Sequence, residues 1–124
     1  MDLREKIVDA RDAAAIAAAG AVVVSGYFDP VIAWHARWLE NFKKAGRSML
    51  VVITTPDHPI LPARARAELV ASLRVVDHVA EFSPELAGLE HVIHLENEDR
   101  ELFRDLLELV HSRLVEVTRA AAVG

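Results

Sequence analysis

Two uninterrupted apolar runs, AVVVSG at 21–26 and SMLVVITT at 48–55, constrain this chain most. Both are short and rich in β-branched residues, and neither alternates polar with apolar. A strand with one wet face alternates, whereas a strand covered on both faces does not. DHVAEF at 77–82 and HVIHL at 91–95 are weaker strand candidates. Helix-like segments fill the gaps. Strand, helix, strand, helix predicts right-handed crossovers and an α/β, Rossmann-like three-layer fold with a parallel sheet.

The helices have readable ends. Asp9 can cap ARDAAAIAAA, Asp12 follows three residues on, and Gly20 sits where that helix would stop. A second helix is expected from just after Pro30 to near Gly46, with Leu39 and Phe42 facing in. A third covers 63–75, with Leu69, Leu73 and Val76 on one face. Ser83 and Pro84 predict a short helix. The last helix, 99–119, carries Phe103, Leu106, Leu107, Val110, Leu114 and Val117 on one stripe, its expected burial face.

With 124 residues and 52% hydrophobic content, the chain supports one domain over 1–124 with a substantial core. A net charge of -5 argues against broad binding of nucleic acid. The absence of cysteine excludes disulfides and thiolate metal sites. The start, MDLREKIVDARD, is too charged for a secretory signal, and AAAIAAAGAVVVSG is broken by Gly20 and short of the ~20 residues a membrane helix needs. A cytoplasmic protein with neither membrane nor nucleic acid as partner is expected.

Ligands of open parallel sheets bind at the carboxyl ends of the strands. SGYFDPVIAWH at 25–35 lies at such an end. Gly26 can admit a phosphate close to the backbone, and the next helix directs its free N–H groups at the same place.

Residues 22–35, VVVSGYFDPVIAWH, resemble the first strand and signature loop of the cytidylyltransferase-like nucleotidyltransferases. That signature is a hydrophobic strand, G-x-F-D, two residues, then H-x-G-H. Gly26, Phe28 and Asp29 match, and His35 falls on the second histidine. REKIVDARDAAAIAAAGAVVV, KKAGRSMLVVITT and ARAELVASLRVVDHVAEF are also similar to family segments, with Arg66, Val76 and Asp77 matching in the last. The likeness runs in order over roughly residues 5–82. Glycerol-3-phosphate cytidylyltransferases and the adenylyltransferase half of ADP-heptose synthase are the relatives it suggests.

The resemblance implies transfer of a cytidylyl or adenylyl group from CTP or ATP to a sugar- or polyol-phosphate, with Mg2+ assisting. It implies His35 as the catalytic phosphate donor and Gly26, Phe28, Asp29, Lys43, Lys44 and Arg66 as nucleotide- or phosphate-binding positions, with no protein metal site. It also implies a homodimer. Two signature positions depart from the pattern. Ile32 stands where the first histidine belongs and cannot donate a hydrogen bond. Trp34 stands in place of the glycine, and its indole is expected to crowd the nucleotide space. The family's late lysine and Ser/Thr motifs have no counterpart in HVIHLENEDRELF, where Glu96, Glu98 and Asp99 would repel a triphosphate unless a cation intervenes. Losing one preorganised donor costs about 10²–10³ in rate.

The residues alone leave alternatives. His35 reads equally as a structural histidine near a helix start. Trp34 can be a stacking platform for a base or a packing partner of Trp38. His58 can substitute for a missing donor or be a solvated loop residue. The three acidic residues can hold a cation or merely suit a helix N-terminus. His91 and His94 fall on opposite faces of a strand, so no shared metal is expected. Two functions follow: an impaired nucleotidyltransferase, or an inactive relative that binds a nucleotide or phosphometabolite or serves as an interaction module.

Overall fold

The computed structural model describes residues 3–123. Four strands, β1 (Val22–Gly26), β2 (Met49–Ile53), β3 (His78–Glu81) and β4 (Ile93–His94), form one sheet in the order β3-β2-β1-β4, every pair parallel. The helices are α1 (Ala10–Ala18), α2 (Ala33–Phe42), α3 (Ala63–Ala71) and α4 (Glu96–Val123), with single 3-10 turns at Leu3–Lys6 and Pro84–Leu86. This is the Rossmann-like α/β arrangement that the apolar runs predict.

Every residue of β1 and β2 is buried. Their side chains divide by period two between the faces. Val22, Val24, Met49, Val51 and Ile53 meet α2 and α3 through Leu39 and Val70. Val23, Leu50 and Val52 meet α1 through Ala13. The alanine run is small because α1 packs close to the sheet. Asp9 caps α1 by accepting the Asp12 N–H at 2.8 Å, and Gly20 ends it at φ 105.

Several boundaries and faces depart from the sequence reading. α3 stops at Ala71, and Leu69 is 42% exposed while Arg66, Ala67, Val70 and Ala71 are buried. The buried face is therefore a pair of i, i+4 rows one residue out of phase with Leu69. β4 shrinks to two residues. The largest departure is α4. Its stripe is not a burial face: Leu107, Val110, Leu114 and Val117 are 47–66% exposed. A helix of 28 residues is about 42 Å long. A strand of five residues spans only about 17 Å, so α4 outruns the sheet after its first two turns. Among the described residues, no helix is long and apolar enough to cross a membrane.

Candidate functional site

β1 ends at Gly26, and the chain turns through Tyr27–Ile32 before entering α2. Phe28 adopts φ 48, a left-handed conformation that is uncommon for an aromatic residue. Its completely buried ring holds it there, packed 4.8 Å from the His35 ring. Asp29 fastens the loop to the segment after β2: its two oxygens accept the N–H groups of Ile60 and Leu61 at 2.7 and 2.9 Å.

Arg66 completes that junction from α3. It is 1% exposed and donates to the carbonyls of Leu61, Tyr27 and Thr54 and to Thr55 Oγ1. The guanidinium, with five donors in a fixed fork, is thus a clamp between the loops after β1 and β2. These two loops and the first turns of α4 enclose a small cleft. Its walls include Ile32, Pro56, Leu102 and Phe103, with Arg100 and the exposed His58 also lining it. The cleft volume is about 90 Å³, below the ~300 Å³ at which drug-sized ligand sites begin.

His35 stands on the first turn of α2 and is 3% exposed. Its Nδ1 accepts the Ile32 N–H at 3.0 Å. The ring proton therefore resides on Nε2, which donates to Asp99 Oδ1. The other Asp99 oxygen, Oδ2, accepts the Tyr27 N–H at 2.8 Å. Asp99 lies in the first turn of α4 and is 7% exposed. Gly26 faces the same carboxylate. A Cβ there would lie 2.8 Å from Asp99 Oδ2 and 2.7 Å from the Phe28 ring. Arg100, beside Asp99, donates to the Tyr27 hydroxyl at 2.7 Å and lies over the Tyr27 ring.

The structure gathers Gly26, Phe28, Asp29 and His35 around this cleft, with Arg66 buried behind it. Lys43 and Lys44 lie elsewhere, because α2 runs from the carboxyl ends of the strands to their amino ends. Lys43 Nζ contacts Asp77 Oδ2 at 2.5 Å, and that oxygen also accepts the Met49 N–H at 2.8 Å. Burial alone would raise the Asp77 carboxyl, but the bonds from Lys43 and Met49 outweigh it and hold it below the usual carboxylate range. Lys44 is exposed near Val22 and Arg47.

Trp34 also departs from expectation. Its indole does not crowd the cleft; it is 50% exposed and sits edge-on to Trp38, with ring centroids 5.9 Å apart. Successive helix residues point about 100° apart, so with His35 directed inward its predecessor turns away. Nothing in the local sequence marks Tyr27, and Asp99 stands there only as one of three acidic residues with Glu96 and Glu98. The pairing of Asp99 with the loop joins positions 72 residues apart through tertiary contact, and no local pattern signals it.

The Mg2+ implied by the family resemblance finds no ready protein ligands here. The two carboxylates lining the cleft, Asp29 and Asp99, have all four oxygens engaged by N–H donors. Among the described residues, no group of three or more His, Asp or Glu side chains converges as a metal site.

No protein-family profile matches the chain. It is similar to archaeal proteins named FAD synthase. The one from Methanohalophilus mahii is 36% identical over 63 residues, covering 46% of this chain and 44% of that protein. The Halobacterium salinarum protein is 36% identical over 70 residues, with 52% and 48% covered. That of Pyrococcus horikoshii is 32% identical over 82 residues, with 60% and 55% covered. The chain thus spans about half the length of the curated relatives it matches. Together with the all-parallel sheet, these partial likenesses support a place in the cytidylyltransferase-like nucleotidyltransferase superfamily.

Proposed function

We propose that this chain is a nucleotide-binding relative of the adenylyltransferases in which group transfer is impaired. The likeness to FAD synthases favours ATP over CTP as the nucleotide. It favours FMN, rather than the sugar- or polyol-phosphate that the signature loop first suggested, as the phosphorylated acceptor to try first. The apolar walls of the cleft suit a flat ring better than a triphosphate.

One observation carries the impairment. Both ring nitrogens of His35 are engaged inside the protein, and Ile32 brings only carbon to the cleft. Transfer of a nucleotidyl group depends on donors already aimed at the phosphoryl oxygens. Neither signature position supplies a free one. With one such donor worth about 10²–10³ in rate, the loss of two leaves little catalysis beyond proximity. The inactive nucleotide-binding module is the limit of this same reading.

Thermal-shift measurements with ATP and CTP, beside pyrophosphate release from ATP and FMN, test it. ATP is expected to raise the melting temperature, with pyrophosphate release near background. Brisk release would overturn the impairment. Absence of a shift with either nucleotide would overturn the nucleotide-binding reading.

A further inference from the structure

Asp99 is a buried acid without a Lys or Arg partner among the described residues; its oxygens meet the backbone N–H of Tyr27 and the Nε2–H of His35. Buried carboxylates are ordinarily paired with a cation. Here the Ile32 N–H on Nδ1 leaves the Nε2–H of His35 aimed at the carboxylate. The carboxylate is therefore held by pre-aimed donors at the carboxyl end of β1, as a bound anion would be held.

Gly26 gives the same message independently. Any side chain there would collide with Asp99 Oδ2 and the Phe28 ring. The position is bare on the side where an oxyanion approaches, and an acidic oxygen from the chain itself fills that side. A carboxylate and a phosphate-class anion both carry negative charge and accept N–H bonds through their oxygens, so one can replace the other. Two such charges cannot share the place, because like charges in one buried site exclude each other.

We infer that Asp99 is an internal occupant of an oxyanion seat formed by Gly26, Tyr27 N–H and His35 Nε2–H, and that phosphate-class anions take this seat only when the first turn of α4 withdraws the carboxylate. The inference deepens the proposed function and rests on its reading of the chain as a nucleotide-binding relative of the adenylyltransferases. Leu95, just before α4, is anchored in the core, and its N–H donates to the Ser25 carbonyl at 2.8 Å. Beyond that anchor the first turn is tied by Asp99 itself, by Arg100 to the Tyr27 hydroxyl and by Thr54 Oγ1 to Glu96 Oε1 at 3.0 Å, with Leu102 and Phe103 lining the cleft. From Leu107 to Arg119 the helix is exposed. Occupancy of the seat and the seating of α4 are thus one equilibrium.

Titration calorimetry with inorganic pyrophosphate tests this on the parent chain, Asp99→Ala, Asp99→Ser and Asp99→Ala combined with His35→Phe. Removing the carboxylate is expected to tighten pyrophosphate binding at least about tenfold, equivalent to about 1.4 kcal/mol, and His35→Phe to abolish the gain. If a variant is unfolded alone, a melting transition restored by pyrophosphate counts as the same gain. Parent binding as tight as that of the variants, no gain in either variant, or a gain that survives His35→Phe would each overturn the inference. ATP titrations separate it from the broader reading. Pyrophosphate gain without ATP binding in any form leaves the seat and refutes the nucleotide-binding role. ATP binding by the parent without pyrophosphate gain does the reverse.

Discussion

The Nε2–H of His35 ends on Oδ1 of Asp99, a residue 64 positions further along the chain. That bond engages the surviving signature histidine within the protein. It also ties α2 to α4 across the carboxyl ends of the sheet, so the ring expected to meet a substrate also holds the fold.

His35→Phe tests that structural role. The substitution keeps an aromatic ring beside Phe28 but leaves the Ile32 N–H and one Asp99 oxygen without partners. Stability is expected to fall by about 2–4 kcal/mol. Urea denaturation followed by circular dichroism reads it, and a loss below about 1 kcal/mol would contradict the role.

Gly26→Ala is expected to destabilise the chain by about 1–3 kcal/mol. The new methyl meets a ring carbon and a carboxylate oxygen at distances real Cβ atoms do not tolerate. Combining it with Asp99→Ala removes one of the two collisions, so the double variant should lose less than the sum of the singles. Additive losses would show that Gly26 and Asp99 do not share the space.

Arg66→Lys retains the charge and discards the fork. Three carbonyls and a hydroxyl then compete for one ammonium that cannot span them. A loss of about 2–4 kcal/mol is expected. Amide exchange should quicken at Ile60 and Leu61, whose loop the clamp holds. Wild-type exchange in the variant would place the loop's order elsewhere.

The Lys43–Asp77 contact gives a pH signature. Asp77 is held below its ordinary value of 3.8, so its contribution is present above that pH and lost as pH falls through the lowered value. Both side chains are about a third or more exposed, which limits the effect to under about 1 kcal/mol. Melting temperatures of parent and Asp77→Asn, recorded from pH 7 down to about pH 3, are expected to differ at the upper end and converge at the lower. A constant difference would assign the loss to something other than the charge.

The sheet and its order of elements were legible because β1 and β2 are buried on both faces, which writes an unbroken apolar run into the sequence. The caps of α1 were legible for a similar reason: Asp9 and Gly20 answer to local backbone geometry. The stripe on α4 was visible as a stripe, but periodicity tells which residues share a face and not what covers it. The loop at 25–35 was found from its place after a strand. What its residues do was not legible, since Asp29, His35 and Arg66 are defined by partners far along the chain. Trp34 is bulky enough to fill a cleft, but its direction on α2 turns it outward against Trp38, and residue type alone does not carry direction.

The most direct test is the nitrogen NMR spectrum of the His35 imidazole in the parent chain without nucleotide and in Asp99→Ala. The pairing of His35 with Asp99 predicts an Nδ1 that accepts and an Nε2 that carries the proton in the parent, with the Nε2 resonance shifted when the carboxylate is removed. A proton on Nδ1 in the parent, or an Nε2 resonance unmoved in Asp99→Ala, would contradict it.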